Sequence, residues 1–242
     1  MEFTFDDFKK RAKNSSLSKW EKIGFPDSYR KDKEVLIFED INSKLGLDSK
    51  GLRILDIGCG CSDLVNSLIN NSVGNQSILY LVDSEEMLNN IDKQSLNKNV
   101  YLVPGYFPKV KFPHLDEYLS FDRILVYSVI QYVFLEQSIF EFIHQCINLL
   151  NSGGRLLIGD IPNISARERF INSDKGKEFV KNGPLSNDTI HLKHERQERI
   201  DDSVVLAILS RFRNFGCETY LLPQNQNLPF GNRREDILII KR

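Results

Sequence analysis

The sequence lacks an excess of charge of either sign. Its 242 residues contain 32 Lys and Arg against 33 Asp and Glu, which leaves a net charge of −1. Proteins that hold nucleic acid through bulk charge are strongly basic, so this balance argues against a nucleic-acid partner. Hydrophobic residues at 41% and charged residues at 27% are ordinary for a soluble globular protein.

Long apolar runs are also absent. The longest extends from Ile124 to Ile130 and is interrupted by Ser128, whereas a membrane span needs about 20 apolar residues. The first residues include acids such as Asp6 and Asp7, where a signal peptide needs a basic start and an apolar stretch. We therefore expect no membrane partner and predict a cytoplasmic protein.

Cysteine is scarce, with four residues at positions 59, 61, 146 and 217. Cys59 and Cys61 are too close together for a paired zinc knuckle, and the other two are isolated. The sequence therefore predicts free thiols and no metal site.

What the sequence does contain is a regular alternation of short apolar segments with helical ones. The strand-like segments are residues 53–57, 77–82, 99–103, 122–127 and 154–159. The helical segments are residues 29–45, 62–71, 84–92 and 134–150. Such alternation indicates βαβ units and a mostly parallel sheet with helices on both faces.

The end of the chain departs from this pattern. Residues 163–200 are polar and have no strand signal, and Asp201 begins a predicted helix that runs to Asn214. Strand-like segments follow at 217–222 and 236–240, joined by a loop too short for a helix. Two strands connected in this way run antiparallel, so we expect one reversed strand near the end of the sheet.

The most informative segment joins the first strand to its helix. Here an acid, Asp56, precedes Gly58 and Gly60, which permit a tight turn and a close approach of the backbone to a ligand. A dinucleotide site needs a third glycine, where this chain has Asp63. The acids would also repel a pyrophosphate, whereas a ligand that carries an amine and a sulfonium would be attracted.

The pattern Asp56-x-Gly58-x-Gly60 resembles motif I of the class I S-adenosylmethionine-dependent methyltransferases. The likeness continues in order through residues 82–88, 121–132 and 149–156, and includes the paired terminal strands. The resemblance implies a Rossmann-like, seven-stranded, mostly parallel sheet with a reversed terminal strand. It also implies S-adenosylmethionine as cofactor and S-adenosylhomocysteine as product.

With this fold, we expect an N-terminal helical arm over residues 1–50. The methyltransferase domain is then expected over residues 51–242. The polar residues 163–200 would be inserted into it as a lid over the pocket.

The resemblance also implies a set of cofactor-binding residues. In this family the acid that ends the second strand binds the ribose hydroxyls, and Asp83 occupies that position. Gly105, Tyr106 and Phe107 replace the family's frequent Gly-Asp-Ala, so adenine is expected to be held by backbone amides and aromatic stacking. The residues predicted to bind the cofactor are Asp56, Gly58, Cys59, Gly60, Asp83, Ser84, Met87, Gly105, Tyr106, Phe107 and Tyr127.

Four residues are predicted to contact the methyl acceptor. They are Tyr29 and Arg30 at the start of the first predicted helix, Gln131 after the fourth strand, and Asp160 after the fifth. The last two lie at the carboxyl end of the sheet, where parallel α/β proteins bind their ligands.

The candidate catalytic residues are His191 and His194 in the predicted lid. Imidazole titrates near neutral pH, so either histidine is a candidate general base. Their spacing also suits a metal, although no third ligand is assured. The interpretation that the sequence favours over both of these is that the two are solvated surface histidines in a charged segment.

Charge along the chain suggests what the acceptor is. Residues 51–160 carry five more acids than bases, whereas residues 161–242 carry three more bases than acids. A basic lid favours an anionic acceptor, and we predict methyl transfer to an oxygen of a small metabolite. The arm and lid are faintly similar to those of bacterial enzymes that methylate surface-polysaccharide sugars or their phosphoramidate groups.

The sequence leaves three alternatives to this function. They are an RNA-directed methyltransferase, an NAD(P)-dependent oxidoreductase and a non-catalytic partner subunit. The oligomeric state is open.

Overall fold

The computed structural model describes residues 4–113, 120–182 and 199–242. Their strands form one seven-stranded sheet in the order β3-β2-β1-β4-β5-β7-β6. The strands are β1 (Arg53–Ile57), β2 (Ile78–Asp83), β3 (Val100–Pro104), β4 (Phe121–Tyr127), β5 (Leu150–Pro162), β6 (Glu218–Pro223) and β7 (Arg234–Ile240). Strands β1 to β5 pair in parallel, and β7 runs antiparallel to both β5 and β6. The predicted fold, a seven-stranded mostly parallel sheet with a reversed terminal strand, is confirmed.

Helices pack on both faces of this sheet. They are α1 (Phe5–Lys13), α2 (Lys19–Lys22), α3 (Asp27–Arg30), α4 (Glu34–Leu45), α5 (Asp63–Gly74), α6 (Glu85–Leu88), α7 (Ile130–Glu136), α8 (Ile139–Asn148), α9 (Ile164–Asn172), α10 (Asp174–Asn182) and α11 (Asp202–Asn214). Side chains of α7, α8 and α11 share one apolar cluster, and those of α1, α4, α5 and α6 share a second. Two clusters form because successive side chains of a strand point to opposite faces of the sheet. In β4, for example, Ile124 belongs to the first cluster and Leu125 to the second.

Two predicted helices are divided in the structure. The helix predicted over residues 29–45 is interrupted between α3 and α4, where Asp32 has a φ of 61°, outside the right-handed helical region. The helix predicted over residues 134–150 is replaced by α7 and α8, because Ser138 accepts a hydrogen bond from the Glu141 N–H and starts a new helix. Strand β5 also begins at Leu150, four residues before its predicted start.

The N-terminal segment contributes to the core as well as to the surface. Leu45 and Leu47 are fully buried in the cluster that contains Ile54 of β1. Helix α1 lies against α6, where the Asn90 side chain donates to the Ala12 carbonyl at 3.1 Å. The division of the chain at residue 50 stays a prediction.

The first half of the predicted lid is helical. Helix α9 begins after Asn163, whose side chain accepts from the Ser165 and Ala166 N–H groups, and α10 follows it directly. His191 and His194 lie outside the described residues. None of the helices in the described ranges is long and apolar enough to cross a membrane.

Candidate active site

A cleft that is partly open to solvent lies at the carboxyl ends of β1, β2 and β4. Its walls combine the predicted cofactor segments with side chains of the N-terminal helices. The predicted site residues that line it are Arg30, Gly58, Cys59, Gly60, Asp83, Met87, Gly105, Tyr106, Phe107 and Tyr127. The parallel strands thus bring distant sequence motifs to one place.

The turn after β1 requires glycine at two positions. Gly58 and Gly60 have φ angles of +74° and +67°, which disfavour other residues. A Cβ atom on Gly58 would lie 2.5 Å from the Val129 side chain, and one on Gly60 would lie 2.7 Å from that of Ile23. The turn is therefore enclosed by α7's first residues on one side and by the N-terminal segment on the other.

Asp83 connects this turn to the end of β2. Its carboxylate accepts hydrogen bonds from the Gly60 N–H at 3.0 Å and the Ser84 N–H at 2.7 Å. Burial raises the pKa of Asp83 to about 6, although both hydrogen bonds favour the charged form. Because Asp83 also lines the cleft, its carboxylate is available to a ligand's hydroxyl groups.

Asp56 lies beneath the same turn and is only 3% exposed. No hydrogen bond from the described residues reaches its carboxylate. Burial, together with the charge of Asp83, raises the pKa of Asp56 to about 8. Two buried carboxylates with raised pKa values at one turn suit a ligand that brings positive charge.

A second part of the cleft is apolar and aromatic. Phe107 packs edge-on against Phe142 with the ring centroids 5.3 Å apart, and Met87 lines the same cavity. The Tyr106 hydroxyl donates to Glu136 at 3.0 Å, and burial raises the pKa of this tyrosine to about 12. These neutral walls can hold a flat heterocycle.

The N-terminal segment covers one side of the cleft. The Phe5 N–H donates to Glu136 at 2.9 Å, and Phe5 packs edge-on against Tyr106. Phe8 packs edge-on against Tyr132, with the centroids 5.0 Å apart. One glutamate therefore connects the arm to the loop after β3.

Arg30 is the cationic side chain of this wall and is 4% exposed. Its Nη2 atom donates to the Ser128 hydroxyl at 2.7 Å and lies 3.5 Å from an Asp160 oxygen. Ser128 and Asp160 both have φ angles of 60°, uncommon for residues other than glycine. Backbone strain of this kind is often found at functional sites.

The methyltransferase-domain family matches residues 48–201 of the sequence, more than half of the chain. The chain belongs to the class I S-adenosylmethionine-dependent methyltransferases.

Several solved structures share the fold of this methyltransferase. The plantazolicin methyltransferase BpumL, in complex with a triazolic desmethylPZN analog and SAH, is similar over 98% of both chains, with 15% identity and a TM-score of 0.61. A SAM-dependent methyltransferase from Aquifex aeolicus is similar over 100% of both chains, with 20% identity and a TM-score of 0.58. A candidate O-methyltransferase from Nostoc punctiforme is similar over 97% of this chain and 60% of its own, with 15% identity and a TM-score of 0.53. No curated protein matches the sequence.

Some predicted residues of the methyltransferase lie beside the cleft rather than on its wall. Ser84 caps α6 by accepting from the Met87 N–H, and Gln131 donates its side-chain amide to the Ser128 carbonyl. Tyr29 stacks on Phe230, with the ring centroids 4.9 Å apart. Asp160 lies behind Arg30 and also accepts a hydrogen bond from Arg234.

The cysteines of the glycine turn are not activated thiols. Burial raises the pKa of Cys59 well above its usual value and that of Cys61 to about 11. A nucleophilic cysteine needs the opposite shift. Both residues are small side chains packed in a crowded turn, as expected from the sequence.

Sequence reasoning predicted Arg30 of the arm at the site but missed the rest of the arm's contribution to the cleft. Phe5, Phe8 and Ile23 line it, but their side chains look like ordinary apolar residues of short helices. Glu136 was missed as well, because its role depends on two partners that are 131 and 30 residues away in the chain.

Proposed function

We propose that this methyltransferase transfers the methyl group of S-adenosylmethionine to an oxygen of a small metabolite that carries an acidic group. The observation that carries this proposal is the cleft itself, whose wall brings the glycine turn and Asp83 together with the buried guanidinium of Arg30, while the buried Asp56 precedes the turn. Sugar acids and sugar phosphates of surface-polysaccharide precursors belong to this class of acceptor.

The residues around the cleft fit the cofactor. Asp83 would bind the ribose hydroxyls, and Tyr106, Phe107 and Met87 would surround adenine. Asp56 would face the cofactor's positively charged end, which explains why a carboxylate without a described hydrogen-bond partner is tolerated there. When bound, the cofactor supplies an electrophilic methyl group, so the protein's task is to position both reactants and exclude water.

The identity of the acceptor oxygen determines whether a base is needed. A hydroxyl must lose a proton during methyl transfer, and His191 or His194 would then act as the base. A carboxylate or phosphate oxygen is already deprotonated at neutral pH and needs no base. Three of the predicted substrate contacts would act indirectly. Gln131 would fix Ser128, Asp160 would fix Arg30, and Tyr29 would fix Phe230.

Titration of the purified protein with S-adenosylhomocysteine and, separately, with NADH tests the cofactor assignment. We expect micromolar affinity for S-adenosylhomocysteine and no measurable binding of NADH in calorimetry. Binding of NADH alone would contradict the proposed function. Asp83→Asn should weaken the binding of S-adenosylhomocysteine, because a neutral amide accepts weaker hydrogen bonds from ribose hydroxyls than a carboxylate does.

A further inference from the structure

We propose that the acceptor atom is a carboxylate oxygen, that Arg30 binds this carboxylate, and that the product is a methyl ester. The inference rests on the proposed function and names its substrate class.

Arg30 is positioned to bind a ligand. Among the described residues, the Arg30 side chain donates its hydrogen bond from Nη2, to the Ser128 hydroxyl. The Phe25 ring lies beneath the guanidinium with its centroid 4.1 Å from Cζ, and the side chain lines the cleft. The Nη1 and Nε donors are thus left for a ligand, and the planar fork of arginine matches a carboxylate.

The guanidinium and the glycine turn line the same cleft. Ser128, its hydrogen-bond partner, is followed by Val129. The Val129 side chain packs so closely on Gly58 that a Cβ atom added there would lie 2.5 Å from it. Ser128, which binds Arg30, is therefore the sequence neighbour of Val129, which packs against the turn assigned to the cofactor. A ligand carboxylate on Arg30 would lie beside the cofactor's charged end.

Charges around Arg30 favour a single negative charge on the ligand. Arg30 and Arg234 share Asp160, while Lys44 lies between Asp40 and Asp236 at 2.5 and 2.7 Å. These three cations and three anions balance, so this network adds no surplus charge to that of the ligand. A carboxylate brings one negative charge, whereas a phosphate monoester brings close to two and leaves the second unpaired in an apolar cleft.

The chemical step is balanced without a base. A lone pair of the carboxylate oxygen attacks the methyl carbon, the carbon–sulfur bond breaks, and its electron pair stays on sulfur. An anion and a sulfonium become a neutral ester and a neutral sulfide, and no proton is transferred. Because the apolar walls disfavour separated charges more than neutral products, the cleft favours this reaction.

The test uses the full-length protein with S-adenosylmethionine labelled with tritium on the methyl group. Matched probes are benzoate, benzyl alcohol and phenyl phosphate, and hexanoate, hexanol and hexyl phosphate. Mild alkali releases volatile labelled methanol from a carboxylic methyl ester, but not from a methyl ether or a methylated phosphate. We expect labelled methanol from one or both carboxylates and no label in the alcohols or phosphates.

Arg30→Met and Arg234→Met form a matched pair of variants, since both remove a cation from Asp160 but Arg234 does not line the cleft. Arg30→Met should raise the KM for the carboxylate about 10- to 100-fold. Arg30→Lys should restore part of this loss, and S-adenosylhomocysteine should bind all three within about twofold. Equal effects of Arg30→Met and Arg234→Met would mean that Arg30 is structural and would overturn the inference.

Other outcomes are equally decisive. Alkali-stable label, in an ether or a phosphate, overturns the assignment of a carboxylate acceptor. The same assignment is overturned if the protein binds S-adenosylhomocysteine but transfers no methyl group to either carboxylate. Failure to bind S-adenosylhomocysteine at all would instead contradict the proposed function.

Discussion

Asp56 shows how a single buried residue can link ligand binding to stability. Its ordinary pKa of 3.8 rises to about 8 in the folded protein, through burial first and the charge of Asp83 second. The folded state therefore holds a proton that the unfolded state releases near pH 4. Its contribution to stability is complete below about pH 4 and is lost as the pH rises to about 8.

Asp56→Asn removes the carboxyl group, and with it the loss of stability that its ionisation causes as the pH rises. We expect the ligand-free variant to melt about 5–10 °C higher than the wild type at pH 8, with the difference disappearing near pH 4. The variant should also bind S-adenosylhomocysteine more weakly, and its affinity should depend less on pH, because no carboxylate has to ionise beside the ligand's ammonium group. Thermal melts and calorimetry between pH 5 and 8 measure both effects.

The control is Asp32→Asn, at an exposed residue with a φ of 61° where asparagine is well tolerated. It removes the same charge at a residue that does not line the cleft. Identical pH profiles for the two variants would contradict the role given to Asp56.

Individual elements differ in how well the sequence predicted them. Gly58 and Gly60 were predicted from their spacing after a strand, and Asp83 from the resemblance to the methyltransferase family; the structure brings them together because the carboxyl ends of parallel strands meet at one edge. No comparable rule places α1, whose packing depends on contacts such as the one between Phe5 and Glu136, 131 residues apart. Arg30 was predicted as a substrate contact, but its fixation by Ser128 and Asp160 follows only from tertiary structure.

At the scale of elements, Glu136 is expected to hold α1 against the cleft. Glu136→Ala removes the acceptor for both the Phe5 N–H and the Tyr106 hydroxyl. Since both hydrogen bonds are exposed and each is worth about 1 kcal/mol, we expect amide exchange in α1 to accelerate about 3- to 10-fold. The affinity for S-adenosylhomocysteine should fall by a similar factor, and Glu136→Gln should recover part of both.

Glu39→Ala is the matched control, because it removes an exposed acid from α4 on a different part of the surface. Hydrogen exchange followed by mass spectrometry would compare the variants. Unchanged exchange in α1 of Glu136→Ala would show that the aromatic contacts alone hold the arm.

At the scale of the whole molecule, Lys44 joins α4 to the reversed strand β7. Its ammonium group lies 2.5 Å from Asp40 and 2.7 Å from Asp236, and its side chain is 10% exposed. Lys44→Met leaves two buried carboxylates without their cation, so the free energy of unfolding should fall by about 3–5 kcal/mol. Lys13→Met, which removes a mostly exposed partner of Glu86, should cost less than about 1 kcal/mol.

Urea denaturation of both variants measures this difference. Equal losses would show that the Lys44 network adds nothing beyond a surface ion pair. A large loss confined to Lys44→Met would show that the N-terminal segment and the last strand of the sheet unfold together.

The arm contacts the cleft at both ends, with Ile23 against the glycine turn and Phe5 against Glu136. A cofactor bound as proposed would lie between these points and under the arm, so we expect cofactor exchange to require movement of the arm. We further expect an ordered turnover, in which the cofactor enters first and the acceptor arrives at an assembled wall. The rate at which a short helix opens would consequently limit how fast the enzyme can run, however reactive the methyl group is.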